Sequence, residues 1–212
     1  MKKILILIIV VLASALFFHD ELRQIISPPE VTVKYEDLIE RDGLWYQKFS
    51  EIPFTGKTTG KEQGSIKNGK EEGAWVRYWD NGQLFFKGNY KNGKEEGERV
   101  YYHDNGRLRH KGNYKNGKQE GAWVGYHDNG QLNYKSNYKN DRREGAWVSY
   151  HDNGLLREKG NYKNGKKEGA WIKHWSNGQL FELGFYKNGK RDGEWVGYHY
   201  DGQLTSKGNY KN

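Results

Sequence analysis

Apolar and polar positions along this chain repeat every 24 residues. A glycine column contains Gly73, Gly97, Gly121, Gly145, Gly169 and Gly193. A leucine column contains Leu84, Leu108, Leu132, Leu156, Leu180 and Leu204, and a tyrosine column contains Tyr90, Tyr114, Tyr138, Tyr162, Tyr186 and Tyr210. A fixed period of this length is the sequence signature of a repeat array. The pattern therefore predicts tandem structural units instead of one deep core.

Asn-Gly dipeptides separate the apolar stretches and predict hairpin turns. They begin at positions 68, 81, 92, 105, 116, 129, 153, 164, 177 and 188, and Asn140-Asp141 and Asp201-Gly202 complete the series. Asn-Gly between alternating apolar residues favours a type I′ turn, in which both central residues have positive φ. The predicted fold is all-β: tandem 24-residue β-hairpin repeats form a long twisted antiparallel meander, preceded by an N-terminal apolar helix.

A two-residue loop at 81–82 sets the predicted strand register. It places Trp79 opposite Leu84 and Trp75 opposite Gly88, so that a large ring covers exposed strand backbone. The same pairing recurs as Trp123 opposite Ser136, Trp147 opposite Gly160, Trp171 opposite Gly184 and Trp195 opposite Gly208. Tryptophans, leucines and tyrosines thus share one face, which we expect to be the better buried, and valines and lysines share the other. A slip of one residue would exchange the faces.

The N-terminal segment, residues 1–18, predicts an export signal or a membrane anchor. Two lysines precede an apolar run over residues 4–18, which is shorter than the roughly 20 residues of a spanning helix. Ala13-Ser14-Ala15 resembles a cleavage site, but the apolar run continues beyond it, so cleavage and retention both stay open. Either outcome places the chain outside: exported to the periplasm or medium, or anchored in the cytoplasmic membrane facing outward.

The remaining sequence divides into three predicted parts. Residues 19–43 form a connector, in which alternation at Val31, Val33 and Tyr35 is typical of a short strand. Residues 44–64 form a degenerate N-terminal capping unit, because terminal repeats are usually atypical. Residues 65–212 form six tandem hairpin repeats.

Composition narrows the classes of partner. The chain has 212 residues, a net charge of +8, 34% hydrophobic residues and 15% aromatic residues. Few apolar but many aromatic residues suit a thin sheet that buries rings, and argue against disorder. The chain contains no cysteine, which excludes disulfides and thiolate metal sites. The positive charge permits anionic partners, but lysines alternate with acidic residues, which argues against nucleic acid.

No constellation of residues predicts catalysis, a cofactor or a metal site. One column contains His103, His127, His151 and His199, with Trp79 and Trp175 at the equivalent positions. Successive members lie roughly 9.6 Å apart in a meander, whereas two histidines that share a zinc ion each lie about 2.0–2.1 Å from it. A column that accepts tryptophan indicates repeat packing. Nucleophile signatures and phosphate-binding loops are also missing from the sequence, so we expect a non-catalytic protein without a cofactor.

The repeats carry a family likeness. The pattern Tyr-Lys-Asn-Gly-Lys-x-x-Gly-x-Trp-x-x-Tyr-x-x-Asn-Gly-x-Leu, as in Tyr162 to Leu180 with His174 at the second tyrosine, resembles the variant form of the MORN repeat. With Pro53-Phe54-Thr55-Gly56 ahead of it, the array over 44–212 is similar to the bacterial YwqK-type antitoxin family. That resemblance implies a non-catalytic binding protein, since its members are named as antitoxin or immunity partners of toxins, while MORN-type sheets serve as interaction platforms, some of them lipid-linked. An export signal departs from a cytosolic antitoxin but suits an outward-facing immunity protein.

Two columns are candidates for a binding surface. They are the tryptophans Trp75, Trp123, Trp147, Trp171 and Trp195 and the lysines Lys87, Lys111, Lys135, Lys159 and Lys207. The rings either stack on sugars or form the core, and the lysines either bind anionic headgroups or make a solvated stripe. The predicted function is a non-catalytic scaffold that binds a partner protein, and its more specific form is an antitoxin or immunity protein whose partner is a toxin. The alternative is an envelope-facing module that binds glycan or anionic lipid.

The last predicted strand, 203–210, offers an open sheet edge, because the chain stops inside the next turn. An open edge favours pairing with a partner strand or with a second copy of this chain, unless the gene is truncated.

Overall fold

The computed structural model describes residues 30–211, and these residues form an all-β fold. Its strands are β1 (Thr32–Lys34), β2 (Leu38–Arg41), β3 (Leu44–Gln47), β4 (Gly56–Thr59), β5 (Glu62–Lys67), β6 (Lys70–Tyr78), β7 (Leu84–Lys91), β8 (Lys94–Tyr102), β9 (Leu108–Lys115), β10 (Lys118–Tyr126), β11 (Leu132–Lys139), β12 (Arg142–Arg143), β13 (Gly145–Tyr150), β14 (Leu156–Lys163), β15 (Lys166–His174), β16 (Leu180–Lys187), β17 (Lys190–Tyr198) and β18 (Leu204–Tyr210). A single 3₁₀ turn, Tyr35–Asp37, separates β1 from β2. The predicted N-terminal helix lies outside the described residues. Within 30–211, no helix has the length and apolarity needed to cross a membrane.

One long sheet contains nearly all of these strands. β4 to β18 follow one another in chain order, each antiparallel to the next, with β12 as a short extra strand beside β11. β1 adds to the other side of β4 in parallel, and β2 and β3 form a separate hairpin. The predicted meander of tandem repeats is therefore confirmed.

Half of the turns match the predicted type. In the turn after β7, Asn92 has φ 51° and Gly93 has φ 75°, and Lys91 pairs with Lys94 across them. Equivalent pairs with positive φ lie at 68–69, 116–117, 140–141, 164–165 and 188–189. These are two-residue hairpin loops in which both central residues need positive φ.

The other Asn-Gly turns are one residue longer, so the predicted two-residue loop at 81–82 is wrong. The amide of Trp79 donates to the carbonyl of Gln83 over 2.7 Å, which leaves a three-residue loop over 80–82. Only Gly82, with φ 82°, has positive φ there. Leu84 therefore pairs with Tyr78, not with Trp79.

A bulge after the longer loop restores the predicted register. Phe85 is skipped in the pairing of β6 with β7, so that Arg77 pairs with Phe86 and Trp75 with Gly88. A three-residue loop combined with a bulge is a common hairpin form. The three-residue loop shifts the pairing of β7 by one residue relative to β6, and the bulge at Phe85 shifts it back. The predicted opposition of Trp75 and Gly88 is therefore correct.

A second irregularity lies at the glycine column of each repeat. Three residues, Gly97 to Arg99, lie opposite the single residue Gly88 in the pairing of β7 with β8. The glycines of this column have φ between 71° and 79°, and a Cβ at Gly97 would meet no atom within 4 Å. Backbone conformation, not space, therefore requires glycine at this bulge.

The start of the array is closed by the β2–β3 hairpin. Leu38, Phe54, Ile66 and Trp75 belong to one buried cluster with Phe86 and Tyr90, and Val33, Tyr35 and Trp45 pack against it. The hairpin is attached through the backbone, since the amide of Trp45 donates to the carbonyl of Gly69 over 2.8 Å. Residues 32–41, placed in the connector by the sequence pattern, supply β1 and β2, so the folded unit begins earlier than position 44.

Both ends of the strands carry contacts that join each repeat to the next. At the longer loops, the side-chain amide of Asn81 donates to the backbone carbonyl of Asp104 over 2.8 Å. The side-chain oxygen of Asn81 accepts from the backbone N–H of Gln83. At the two-residue loops, the backbone N–H of Asn92 donates to the carboxylate of Glu72 over 2.8 Å. Equivalent contacts recur along the array. Asparagine at the longer loops is thus explained by its side chain and not by positive φ.

β18 lies at the far side of the sheet. Among the described strands it pairs only with β17, and all seven of its residues are exposed. Self-association through this edge stays a prediction.

Candidate binding surface

The two predicted columns lie on opposite faces of the sheet. The five candidate tryptophans are between 1% and 7% exposed, while the five candidate lysines are all exposed. We call the first side the tryptophan face. The second is the valine–lysine face, which contains Val76, Val100, Val124, Val148, Ile172 and Val196 in register with Lys87, Lys111, Lys135, Lys159, Leu183 and Lys207.

Four of the five tryptophan rings cover a glycine of the strand that precedes the tryptophan, not the predicted glycine of the strand that follows it. Trp171 pairs with Gly184, yet a Cβ built on Gly160 would lie within 2.7 Å of its Cγ and closer still to Cδ2 and Cε2. Trp75, Trp123 and Trp195 lie in the same way over Gly64, Gly112 and Gly184. The predicted ring above a strand glycine is therefore present, but the predicted glycine is wrong, because the tryptophan side chain leans toward the other neighbouring strand.

Ser136 shows what happens when that glycine has a side chain. Trp75, Trp171 and Trp195 donate their indole N–H to a backbone carbonyl ten residues earlier, at 3.0–3.3 Å. Trp147, whose equivalent glycine is replaced by Ser136, donates instead to the carboxylate of Glu158 over 3.1 Å. Its ring stacks on Tyr134 with centroids 5.5 Å apart and planes 18° from parallel. A single hydroxymethyl group thus correlates with a different ring position.

Tyrosines and cations cover the remaining sides of the rings. Trp171 lies between Tyr162 and Tyr186, at centroid distances of 5.2 and 6.0 Å and near-perpendicular planes. Lys167 Nζ lies 3.7 Å from the centroid of Trp171, and the guanidinium carbons of Arg143 and Arg191 lie 4.2 Å from Trp147 and Trp195. A cation over an aromatic face stabilises by about 0.5–1 kcal/mol at exposed sites. The tryptophans are therefore the core of the sheet, and they present no free ring to a sugar.

The lysine column is accessible but is not uniform. Lys111 lies 3.9 Å from the carboxylate of Glu98, and Lys207 lies 3.1 Å from that of Glu194. Within residues 30–211, Lys87, Lys135 and Lys159 form no ion pair. Alanine takes the place of the glutamate beside these three, at Ala74, Ala122 and Ala146. Positive charge without a paired carboxylate therefore lies in the first repeat, at Lys87, and in the central repeats, at Lys135 and Lys159.

Two apolar residues interrupt the columns on this face, and the sequence analysis missed them. Leu183 occupies the lysine column and Phe185 occupies the column that otherwise contains asparagine. Phe185 is 54% exposed. The signal that reveals them is departure from the repeat: a position with polar residues in the other copies becomes apolar in one.

These two residues line an apolar groove of about 610 Å³. Ala146, Val148, Ala170 and Ile172 form other parts of its wall, with Lys159 at its margin. A second groove of about 460 Å³ shares Ala146 and Val148 and continues toward Lys111 and Glu98. Together they form a trough across the valine–lysine face. An apolar concavity with a few charged groups at its rim is the usual form of a binding site.

The histidine column packs repeats together. The ring Nε2 atoms of His103, His127 and His151 each lie 3.0 Å from a backbone carbonyl of the next repeat. Trp79 and Trp175 donate their indole N–H to the equivalent carbonyls over 3.3 and 3.1 Å. A ring N–H donor is what this column requires, which explains why both residue types occur. Among residues 30–211, no cluster of three or more histidine or acidic residues could bind a metal ion.

Comparison with known proteins identifies the repeat. A search of curated proteins gives no match. The family model for the MORN repeat variant matches six consecutive segments: 71–92, 95–116, 119–140, 143–164, 167–188 and 191–212. Each segment begins inside one strand, and the first five end in the next two-residue loop, so one match corresponds to one structural repeat. The chain therefore belongs to the MORN repeat variant family.

Proposed function

We propose that this protein is a non-catalytic scaffold that binds a partner protein on its valine–lysine face. The observation that carries the proposal is the apolar trough on that face, beside lysines that lack carboxylate partners. The tryptophan face is already filled by its own rings and by the cations above them. Of the two faces formed by residues 30–211, it is the valine–lysine face that combines accessible apolar surface with lysines outside any ion pair.

The dimensions of the trough suit a protein partner. Its apolar part, from Ala122 and Val124 to Leu183 and Phe185, crosses six strands, β10, β11, β13, β14, β15 and β16, and five strand spacings amount to about 24 Å. Eight residues of strand give about 27 Å in the other direction. The trough itself occupies about three residues of each strand, but the sheet face around it measures about 650 Å², close to the roughly 800 Å² that each partner contributes to a stable interface.

A more specific proposal is that the partner is a toxin and that the protein acts as an antitoxin or immunity protein. Its support is the likeness to the YwqK-type family, including Pro53-Phe54-Thr55-Gly56. In the fold, Phe54 is buried in the cluster under the β2–β3 hairpin, so this motif supports the capping unit and not a contact with a toxin. An exported or outward-anchored location, proposed from residues 1–18, would suit immunity against a toxin that arrives from outside.

A second candidate function is binding to an anionic lipid surface. The three lysines without ion pairs favour it, because juxtaposed cations attract acidic headgroups by about 1 kcal/mol each. Glycan binding through the tryptophans has no such support, since the rings are buried.

Capture experiments test the proposal. Tagged full-length protein would be recovered from its own cells, in parallel with Ala146→Glu and Leu155→Gln variants. Ala146 lines both grooves, and glutamate occurs at the same column in Glu98 and Glu194, so this variant should fold. Leu155 is exposed in a longer loop, at a position that contains glutamine in other repeats.

We expect a stoichiometric protein with the wild type and with Leu155→Gln, but not with Ala146→Glu. A different result would be that no protein is recovered and that the purified chain binds phosphatidylglycerol vesicles, with binding that weakens as salt increases. That result would replace the protein partner by lipid. Equal recovery of the protein by Ala146→Glu would show that the valine–lysine face is not the binding surface.

A further inference from the structure

We propose that the trough accommodates an amphipathic α-helix of the partner, with an apolar stripe that contacts Leu183 and Phe185 and with acidic residues beside the stripe. This inference rests on the proposed scaffold function and specifies what that scaffold recognises. Four features support it: the apolar break in the columns, the length of the trough, the charges at its rim, and the use of the sheet's own backbone groups.

The apolar break is local and is oriented toward solvent. Phe185 pairs with Ala170 and Leu183 with Ile172 across β15 and β16, which creates four adjacent apolar side chains on one face. The carbonyl of Phe185 accepts the indole N–H of Trp195 over 3.0 Å. Gly184 pairs with Trp171 on the tryptophan face, so the adjacent Phe185 lies on the opposite face by strand alternation, where it is 54% exposed.

The charged residues define the ends of the site and the sign of the charge that its partner must have. Lys135 and Lys159 lie at the rim of the two grooves and have no ion pair within the described chain. At one end of the trough, Glu98 accompanies Lys111, and both line the second groove. Beyond the other end, Glu194 accompanies Lys207. A partner with carboxylates therefore gains attraction over the central strands and meets an acidic residue toward each end, which favours one position along the sheet.

The backbone of the sheet determines the form of the partner. The strands that line the trough are paired on both sides, so an extended segment on this face would find no free N–H or C=O groups to pair with. A buried segment must satisfy its own backbone groups, which an α-helix does internally. A trough of about 24 Å matches a helix of about 16 residues. Side chains at i, i+3, i+4 and i+7 then supply the apolar anchors.

A peptide-binding assay tests this inference. The probe is a fluorescein-labelled 18-residue helical peptide with leucines at i, i+3, i+4 and i+7 and glutamates beside that stripe. One comparator has lysine in place of every glutamate, and another has serine in place of every leucine. Fluorescence anisotropy measures binding of each peptide to the full chain.

Variants of the chain identify the site. Leu183→Lys with Phe185→Asn restores the residues that the other repeats contain, so the fold should be retained. We expect this pair to weaken binding of the acidic peptide at least tenfold. Lys135→Glu with Lys159→Glu should also weaken it, and should reduce its dependence on salt. Leu155→Gln, an apolar-to-polar change at an exposed loop outside the trough, is the matched control and should leave the affinity unchanged.

Several results would overturn the inference. They are equal binding of the lysine peptide, an unchanged affinity in the Leu183→Lys/Phe185→Asn variant, and no binding of the acidic peptide. The same double variant, used in the capture experiment, separates the two proposals. A natural protein partner that it retains would leave the scaffold function standing and refute the helix in the trough. If the wild type captures no protein at all, the scaffold function fails, whatever the peptides do.

Discussion

Substitution of Gly160 by alanine should destabilise the array through one particular ring. The new Cβ would lie within 2.7 Å of Trp171 Cγ and closer to two other ring atoms, whereas carbon contacts are ordinarily about 3.5–4.0 Å. The ring must move by about 1 Å or more, yet it is only 2% exposed. Overpacking of this kind costs about 1–3 kcal/mol. The different position of the Trp147 ring beside Ser136 shows that such a move is feasible. We therefore expect Gly160→Ala to destabilise the fold by about 2 kcal/mol, less than removal of the ring would cost.

Gly208 provides the matched control, because it occupies the same column and a Cβ there would meet nothing within 4 Å. Gly208→Ala should be neutral or stabilise by up to about 1 kcal/mol through the unfolded chain. Urea unfolding followed by circular dichroism measures both changes. A double-mutant cycle then assigns the cause. The cost of Gly160→Ala should largely disappear in a Trp171→Ala background and persist in a Trp147→Ala background.

The opposite result of the cycle would refute the reasoning. If Trp147→Ala relieved the cost and Trp171→Ala did not, the ring above Gly160 would be that of its Cα partner. Equal effects of alanine at Gly160 and Gly208 would show that the close approach of the ring has no energetic consequence.

Three further predictions concern single positions and are measured by urea unfolding. His103→Phe should cost about 1 kcal/mol, because the bond to the carbonyl of Tyr126 is lost, while His103→Trp, which retains a ring N–H, should cost less; equal losses would exclude that role. Burial, with nearby positive charges, lowers the pKa of His110 from 6.5 to about 4. The unfolded chain therefore binds the proton more readily, so the free energy of unfolding should fall as pH decreases from about 6.5 toward 4. His110→Tyr should remove this part of the pH dependence. Gly121→Ala should destabilise by about 1 kcal/mol although its Cβ meets no atom, since φ is 72°; no loss would show that the bulge relaxes to another conformation.

The sequence predicted the period, the meander and the separation of the tryptophans from the valines and lysines, because these depend on alternation along a strand, a local property. It placed the leucines on the wrong face, since Leu84 pairs with Tyr78, which shares the face of Val76. It could not distinguish the two kinds of Asn-Gly turn. Asn81-Gly82 and Asn92-Gly93 are identical as dipeptides, and the extra residue in the first loop depends on a bond between Trp79 and Gln83 and on the bulge at Phe85. The register of the strands survived because those two offsets cancel.

The candidate site was less predictable than the fold. Register assigns a Cα partner to Trp171, but the direction in which a long side chain leans depends on both neighbouring strands, so the ring above Gly160 could not be derived from pairing alone. Burial of the tryptophan face was expected and is confirmed, but the cations that cover its rings, Lys167 and Arg191, could not be identified from strand alternation. Phe185, by contrast, could have been found from sequence by comparing each repeat with the others.

The contacts between repeats have a consequence for how this protein can change length. The indole and imidazole donors, and the asparagine amides of the longer loops, all bind main-chain carbonyls of the following repeat. A carbonyl is present whatever the side chain, so these particular contacts can form between any two copies. Duplication or loss of one complete 24-residue unit would lengthen or shorten the sheet by about 9.6 Å and leave both junctions intact. Gene recombination can therefore change the length of the sheet in fixed steps. Substitutions in a single copy, as at Leu183 and Phe185, alter the surface at one position along the sheet.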